Sequence, residues 1–207
     1  FFGKPCGLLD QMTSSVGSFV EIDFADPANP VIEKLDFDFA SCGYALCIVD
    51  TGGSHSDLTD EYAAVRKEME SVAEYLGKSV LREVDEDEFM KNIADIRSSC
   101  GDRAVLRAMH FYGDNARVEK QAAALKAGDF ETFKKYIIES GRSSYMYNQN
   151  VYSCKKASEQ PVSLALSLSE KLLDGCGAWR VHGGGFAGTI QAFVPLNKLD
   201  EYKDLME

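Results

Sequence analysis

Three stretches of the 207-residue chain carry side chains or backbone suited to chemistry. Near the start, Pro5-Cys6-Gly7-Leu8-Leu9-Asp10-Gln11-Met12 sets a lone carboxylate inside a short helical pattern, just after a glycine. A carboxylate within reach of a hydroxyl can position it and take its proton. In the first turn of a helix it equally serves the helix dipole. Near the end, Gly177 to Thr189 holds five glycines in thirteen residues, with Gly183-Gly184-Gly185 between two apolar runs. That pattern is a hairpin turn whose main chain can approach another backbone, a phosphate or a sugar closely. In the middle, Asp50-Thr51 closes an apolar strand and is followed by Gly52-Gly53-Ser54-His55 and then Tyr62 to Arg66. His55 has no serine or cysteine nucleophile in a recognisable motif with it. Tyr62 offers a ring edge and a hydroxyl together. Arg66, one turn on, is spaced to support Tyr62 or to pair with Glu70.

Composition narrows the partners. Twenty-two basic against 33 acidic residues give a net charge of −11, which disfavours nucleic acid and anionic membranes. There is no apolar run long enough to span a bilayer. The acidic groups at Glu83 to Asp87 and around Asp36, Asp38, Asp57 and Asp60 are solvated faces rather than metal sites. The six cysteines (Cys6, Cys42, Cys47, Cys100, Cys154, Cys176) contain no Cys-x-x-Cys, against a zinc site. With no signal peptide visible, their scatter fits a reducing cytoplasm. Cys42 and Cys47 are expected to act as small core hydrophobes. The chain does not begin with Met, and it is read as part of a longer protein.

The elements that must position these groups follow from periodicity. Leu8 to Val16 is a short helix, Phe19 to Phe24 and Val31 to Leu35 form a hairpin around Asp26-Pro27, and Tyr44 to Val49 is a strand. Helices follow from Asp60 (capped by Asp57 or Thr59) to about Leu76, Asp85 to about Ser98, Asp102 to Lys126, Asp129 to about Glu139, and Ser158 to Leu173. Two strands then flank the triple glycine, and a helix from Asp200 closes the chain. The order does not alternate βαβα, so a doubly wound fold is disfavoured. The expected class is α+β, an antiparallel sheet with helices packed on one face.

Taken together, the segments resemble the galactokinase branch of the GHMP small-molecule kinases. That branch has a Cys-Gly-hydrophobic-hydrophobic-Asp-Gln segment, an Asp-Thr segment, a His, a Tyr-x-x-x-Arg helix start, an Arg-Ala-x-His helix and a Gly-Gly-Gly-Phe-Gly-Gly loop. This chain carries Cys6 to Gln11, Asp50-Thr51, His55, Tyr62 to Arg66, Arg107-Ala-Met-His110 and Gly183 to Gly188 in that order. The resemblance implies that residues 1–40 are the tail of the N-terminal lobe and residues 41–207 the C-terminal, ferredoxin-like lobe. It also implies that Asp10 is the catalytic carboxylate, facing the anomeric hydroxyl of galactose as base or as orienting charge. Gly7, Asp10, Tyr62 and Gly184 would bind the sugar, with Gly183 and Gly185 in the loop beside it. Arg66 is read as structural and His110 as a helix-face residue. The chain departs from the branch at Trp179, at His182 and at Ala187, where an L residue resists positive φ. It also lacks the Cys-x-Glu-hydrophobic-Asp segment after Asn148-Gln149-Asn150.

The resemblance further implies ATP and Mg2+ as cofactors, held mainly by an N-terminal lobe outside these residues. No Gly-x-x-x-x-Gly-Lys-Ser/Thr or Gly-x-Gly-x-x-Gly stands in for its phosphate loop here. The 207 residues alone are therefore expected neither to bind ATP tightly nor to turn over. Three alternatives stay open: a kinase for another sugar, a non-catalytic sugar sensor of the same fold, and a stand-alone interaction module.

Overall fold

A computed structural model describes residues 7–26, 28–53 and 58–207. Cys6, His55 and the proposed cap Asp57 lie outside the described residues. The elements run α1 Leu9–Val16, β1 Phe19–Asp23, β2 Val31–Leu35, β3 Tyr44–Asp50, α2 Thr59–Tyr75, α3 Glu86–Lys91, α4 Ile93–Cys100 and α5 Asp102–Lys126. They continue with α6 Phe130–Ser143, α7 Pro161–Leu173, β4 Ala178–Val181, β5 Thr189–Pro195 and α8 Leu199–Met206. No helix among the described residues is long and apolar enough to cross a membrane.

The α+β class with an antiparallel sheet holds, and helices pack on both faces of that sheet rather than on one. Strands β3, β5 and β4 form an antiparallel sheet in that order, with β5 central, and β1 and β2 form a separate hairpin. Strand alternation divides the sheet into two faces. Ala192 and Val194 of β5 and Trp179 of β4 pack with Leu173 of α7 and Tyr202 of α8. On the opposite face Phe193 and Ala178 meet Phe130, Phe133 and Ile137 of α6. Leu46 and Ile48 of β3 lie on that second face and are 46% and 50% exposed. One face is thus fully covered by helices and the other only in part.

The hairpin is tied down by aromatic packing. Phe19 of β1 stands edge-on to Phe133 of α6 at 5.8 Å, and Leu35 of β2 is buried in the same cluster. Edge-to-face pairs of this kind add about 0.5–1.5 kcal/mol each beyond the area they bury. Lys126 of α5 reaches Glu33 of β2 at 2.8 Å. A second core is wholly helical, with Val72 and Ala73 of α2 against Phe89, Ile96, Ala104 and Ala108. By contrast α1 buries none of its residues.

Three local readings needed correction. The helix expected from Asp85 to Ser98 is two helices, because Asn92 breaks the α geometry and its amide donates back to the Glu88 carbonyl at 2.8 Å. Asp85 caps the first of them, accepting from the Asp87 and Glu88 amides. Thr59 does not cap α2 but is its first residue, after Leu58. The helix from Asp129 runs past Glu139 to Ser143 and then widens into a π-helical turn, Ser144–Asn148. The Gln149 amide reaches back five residues to the Ser144 carbonyl at 2.8 Å, and Gln149 itself is left-handed with φ 54°. Cys42, Cys47, Cys100 and Cys176 are half-buried free thiols and Cys154 is exposed. Burial pushes the Cys47 thiol up from its ordinary value.

Candidate functional site

The β4–β5 hairpin carries the triple glycine in its seven-residue connection, and three other parts of the chain grip that loop. The first is the start of α2. The Tyr62 hydroxyl donates to the Gly185 carbonyl at 2.8 Å. Its ring edge lies so close to Gly184 that a Cβ there would come within 2.6 Å of it. The same ring stands edge-on to Phe186, with centroids 5.5 Å apart. Burial raises the Tyr62 phenol above its ordinary value, which keeps the proton on the oxygen that donates.

The second grip is the end of β3. Thr51 gives both its amide, at 2.8 Å, and its hydroxyl, at 2.6 Å, to the Gly188 carbonyl. Asp50 turns this corner by accepting from the Gly52 amide at 3.0 Å. Gly53 lies against Ala187, where a Cβ on the glycine would meet the alanine methyl at 3.0 Å.

Asn150 is the third grip, and no periodicity or motif marks it in advance. Its side-chain amide donates to the Gly184 carbonyl at 3.1 Å, and its own carbonyl accepts from the Phe186 amide. Asn150 is held from below by the π-helical turn. The carbonyl of Asn148 accepts from Arg107 Nε at 3.0 Å, and Arg107 is fully buried on α5. Glu68 of α2 pairs with Arg107 at 2.8 Å and also with Arg103. Burial lowers the Arg107 pKa and Glu68 opposes that shift; a guanidinium stays charged in either case.

Of the residues expected at the site, the structure brings together Tyr62, Gly183, Gly184 and Gly185, with Asp50-Thr51 beside them. Residues 182–184 are exposed and residues 185–188 are buried. Among the described residues, neither the Gly183 nor the Gly184 amide donates a hydrogen bond. Asp10 and Gly7 are placed elsewhere. Both are exposed on or beside α1, and among the described residues no contact of the loop reaches them.

The remaining candidates have plain roles. Arg66 pairs with Glu70 at 2.7 Å and is largely exposed. His110 is buried, bonded through Nδ1 to the Ser143 hydroxyl at 2.9 Å, rather than lying on an open helix face. His182 is exposed, with Nδ1 3.2 Å from Gln191 Oε1. Trp179 is a core residue. Ala187 carries no backbone penalty, because the positive φ falls on Phe186 (59°) and Gly188 (87°) on either side. A cleft of about 630 Å³ opens along the buried side of the loop, lined by Thr51, Leu58, Ser153, Pro161, Phe186 and Ala187. None of the expected sugar-binding residues lines it. Among the described residues no three His, Cys, Asp or Glu side chains converge as a metal site would require.

Comparison with known proteins gives this arrangement a context. A galactokinase of Thermotoga neapolitana is 30% identical over 207 residues, covering 100% of this chain and 53% of that protein. Human galactokinase is 33% identical over 188 residues, 91% of this chain and 44% of the relative. Over nearly its whole length the chain is similar to galactokinases. A galactokinase of Actinobacillus pleuropneumoniae serotype 5b aligns over 100% of the chain and 51% of its own length at 26% identity. The chain thus spans about half the length of these galactokinases, and the part it matches fits their C-terminal portion. In three dimensions it is similar to Lactococcus lactis galactokinase, solved in complex with galactose. The TM-score is 0.66 at 20% identity, covering 90% of this chain and 45% of that one. That likeness is one of fold. No family model matches the chain.

Proposed function

We propose that the protein carrying this chain transfers the γ-phosphoryl group of ATP to O1 of galactose. The observation that carries the reading is the hydrogen bond from Tyr62 to Gly185. It joins two segments 123 residues apart that each match a galactokinase motif. End-to-end likeness to galactokinases supports it further.

The chemistry asks little covalent work of the protein. The O1 oxygen forms a bond to the γ-phosphorus as the bond from that phosphorus to the ADP oxygen breaks, and the O1 proton leaves for a carboxylate. Asp10 is that carboxylate, and in the same position it orients the hydroxyl for in-line attack. Tyr62, Gly7 and Gly184 line the sugar, and the main chain at the exposed residues Gly183 and Gly184 approaches it. When bound, Mg2+ neutralises charge on the phosphates. No described residue of this chain is assigned to it, and the ATP phosphates are held mainly outside these residues. Asp10 rides on a helix with no buried residue, so its approach to the sugar depends on what packs against α1 in the whole protein.

The test is Asp10→Asn in the full-length protein, with ADP release and sugar phosphate measured across a panel of sugars. Loss of a general base costs about 10²–10⁴-fold in turnover, and a drop of that size with galactose as preferred acceptor is the expected result. A wild-type protein that phosphorylates only another sugar would move the substrate. Sugar binding without ADP release would replace the kinase by a sensor.

A further inference from the structure

The triple-glycine loop is held by contacts of unequal kind. Tyr62 and Thr51 each grip a single carbonyl, Gly185 and Gly188. Asn150 grips both strands of the turn at once, donating to Gly184 and accepting from Phe186. Between those two contacts Gly185 is pressed onto the Asn150 main chain with no room for a side chain. Asn150 therefore sets the height of the loop, and the exposed Gly183–Gly184 main chain rides on it.

What fixes Asn150 lies deeper. Its neighbour Gln149 takes a left-handed conformation, and the turn before it is π-helical. The last carbonyl of that turn, on Asn148, is bound by the wholly buried Arg107. A buried guanidinium is costly unless every contact is made. Here one Nη bonds Glu68 and Nε bonds a carbonyl two residues from Asn150, while the other Nη is without a partner. No stability argument requires a charge at that point, because an apolar side chain would fill α5 without the desolvation. The retained charge has one evident consequence, the fixed position of the 148–150 main chain.

We infer that Asn150 and, behind it, Arg107 are positioning residues for the transfer step. They hold the Gly183–Gly184 backbone at a fixed distance from the sugar without touching it. The inference rests on the kinase reading above for its effect on turnover, and on the structure alone for its effect on the loop. A positioning residue acts on the reacting geometry, so its loss lowers kcat more than it raises KM.

Two variants of the full-length protein test this, Asn150→Asp and Arg107→Lys. The aspartate is nearly isosteric but cannot donate to Gly184, and the lysine keeps the charge beside Glu68 but loses the planar fork that reaches Asn148. Hydrogen–deuterium exchange at the bonded amides of Phe186 and Ala187 is read together with steady-state kinetics. In both variants loop exchange should speed up about tenfold or more, kcat should fall by about 10–100-fold, and KM should move less than threefold. Wild-type exchange in Asn150→Asp overturns the inference, and so does faster exchange with kcat unchanged. Should the wild-type protein phosphorylate no sugar, the kinase reading falls. The exchange data then still decide whether Asn150 and Arg107 hold the loop.

Discussion

Gly185 and Asn150 are in such close contact that a Cβ on the glycine would stand 1.9 Å from the Asn150 carbonyl oxygen. The glycine also has φ 82°, in the region L residues avoid. Gly185→Ala meets backbone strain and a main-chain collision together, and we expect a loss of about 3–4 kcal/mol. Gly183→Ala is the control, since Gly183 has φ 69° but open space around it. It should cost only about 1–2 kcal/mol. Urea denaturation of the two variants compares them directly, and equal losses would refute the close contact.

Tyr62→Phe keeps the ring against Gly184 and Phe186 and removes the bond to the Gly185 carbonyl. A single neutral hydrogen bond contributes about 1 kcal/mol, and the chemical-denaturation midpoint should fall accordingly. In a sugar-phosphorylation assay kcat/KM should drop as well. An unchanged kcat/KM alongside the stability loss would make Tyr62 a structural brace alone.

Arg107 and Glu68 are coupled, and their variants should not add. Glu68→Ala leaves a buried cation without its carboxylate, at a cost of about 3 kcal/mol or more. Arg107→Met removes the charge as well as the bond to Asn148 and should cost less. The double variant should therefore be more stable than the sum of the two single losses predicts. Additive losses in a denaturation double-mutant cycle would show that the pair does not interact.

The long helices and the hairpin flanking the triple glycine were legible, because apolar spacing and glycine punctuation report on a single element at a time. The sequence also held the segments that meet around the loop, Asp50-Thr51, Tyr62 and Gly183 to Gly188. It did not disclose that Asn150 joins them. That contact depends on a π-helical turn and a left-handed Gln149, and neither has a periodic signature. The break at Asn92 was hidden for a similar reason, since a side chain donating to its own helix leaves the apolar pattern intact. Ala187 looked like an obstacle only until the positive φ was seen to fall on Phe186 and Gly188. The placement of Asp10 could not be read from its motif, because α1 buries nothing that would fix it.

His110 gives the fold a pH dependence. Burial holds its imidazole below the ordinary value of 6.5, against the pull of Asp114 and with Arg180 and Arg117 adding to the depression. Above 6.5 the ring is neutral in both folded and unfolded chains. As pH falls below 6.5 the unfolded chain takes up the proton first, so stability declines until the folded-state pKa is passed. Thermal melts between pH 7.5 and 5 should show this decline for wild type and a flatter profile for His110→Gln. Matching slopes would remove His110 as the source.

The π-helical turn at Ser144–Asn148 behaves like a gear tooth added to a wheel. An α-helix turns its residues by about 100° per step, and the wide turn accommodates one residue more than regular winding would. Removing one residue from it would let α6 wind on smoothly. Because the wide turn absorbs that extra residue, the chain beyond it would keep nearly its phase, and the five-back bond from Gln149 to Ser144 would become an ordinary four-back one. A one-residue deletion here is thus a repair of the winding rather than a shift of register, and its effect on the loop falls on the Asn148 carbonyl that Arg107 binds.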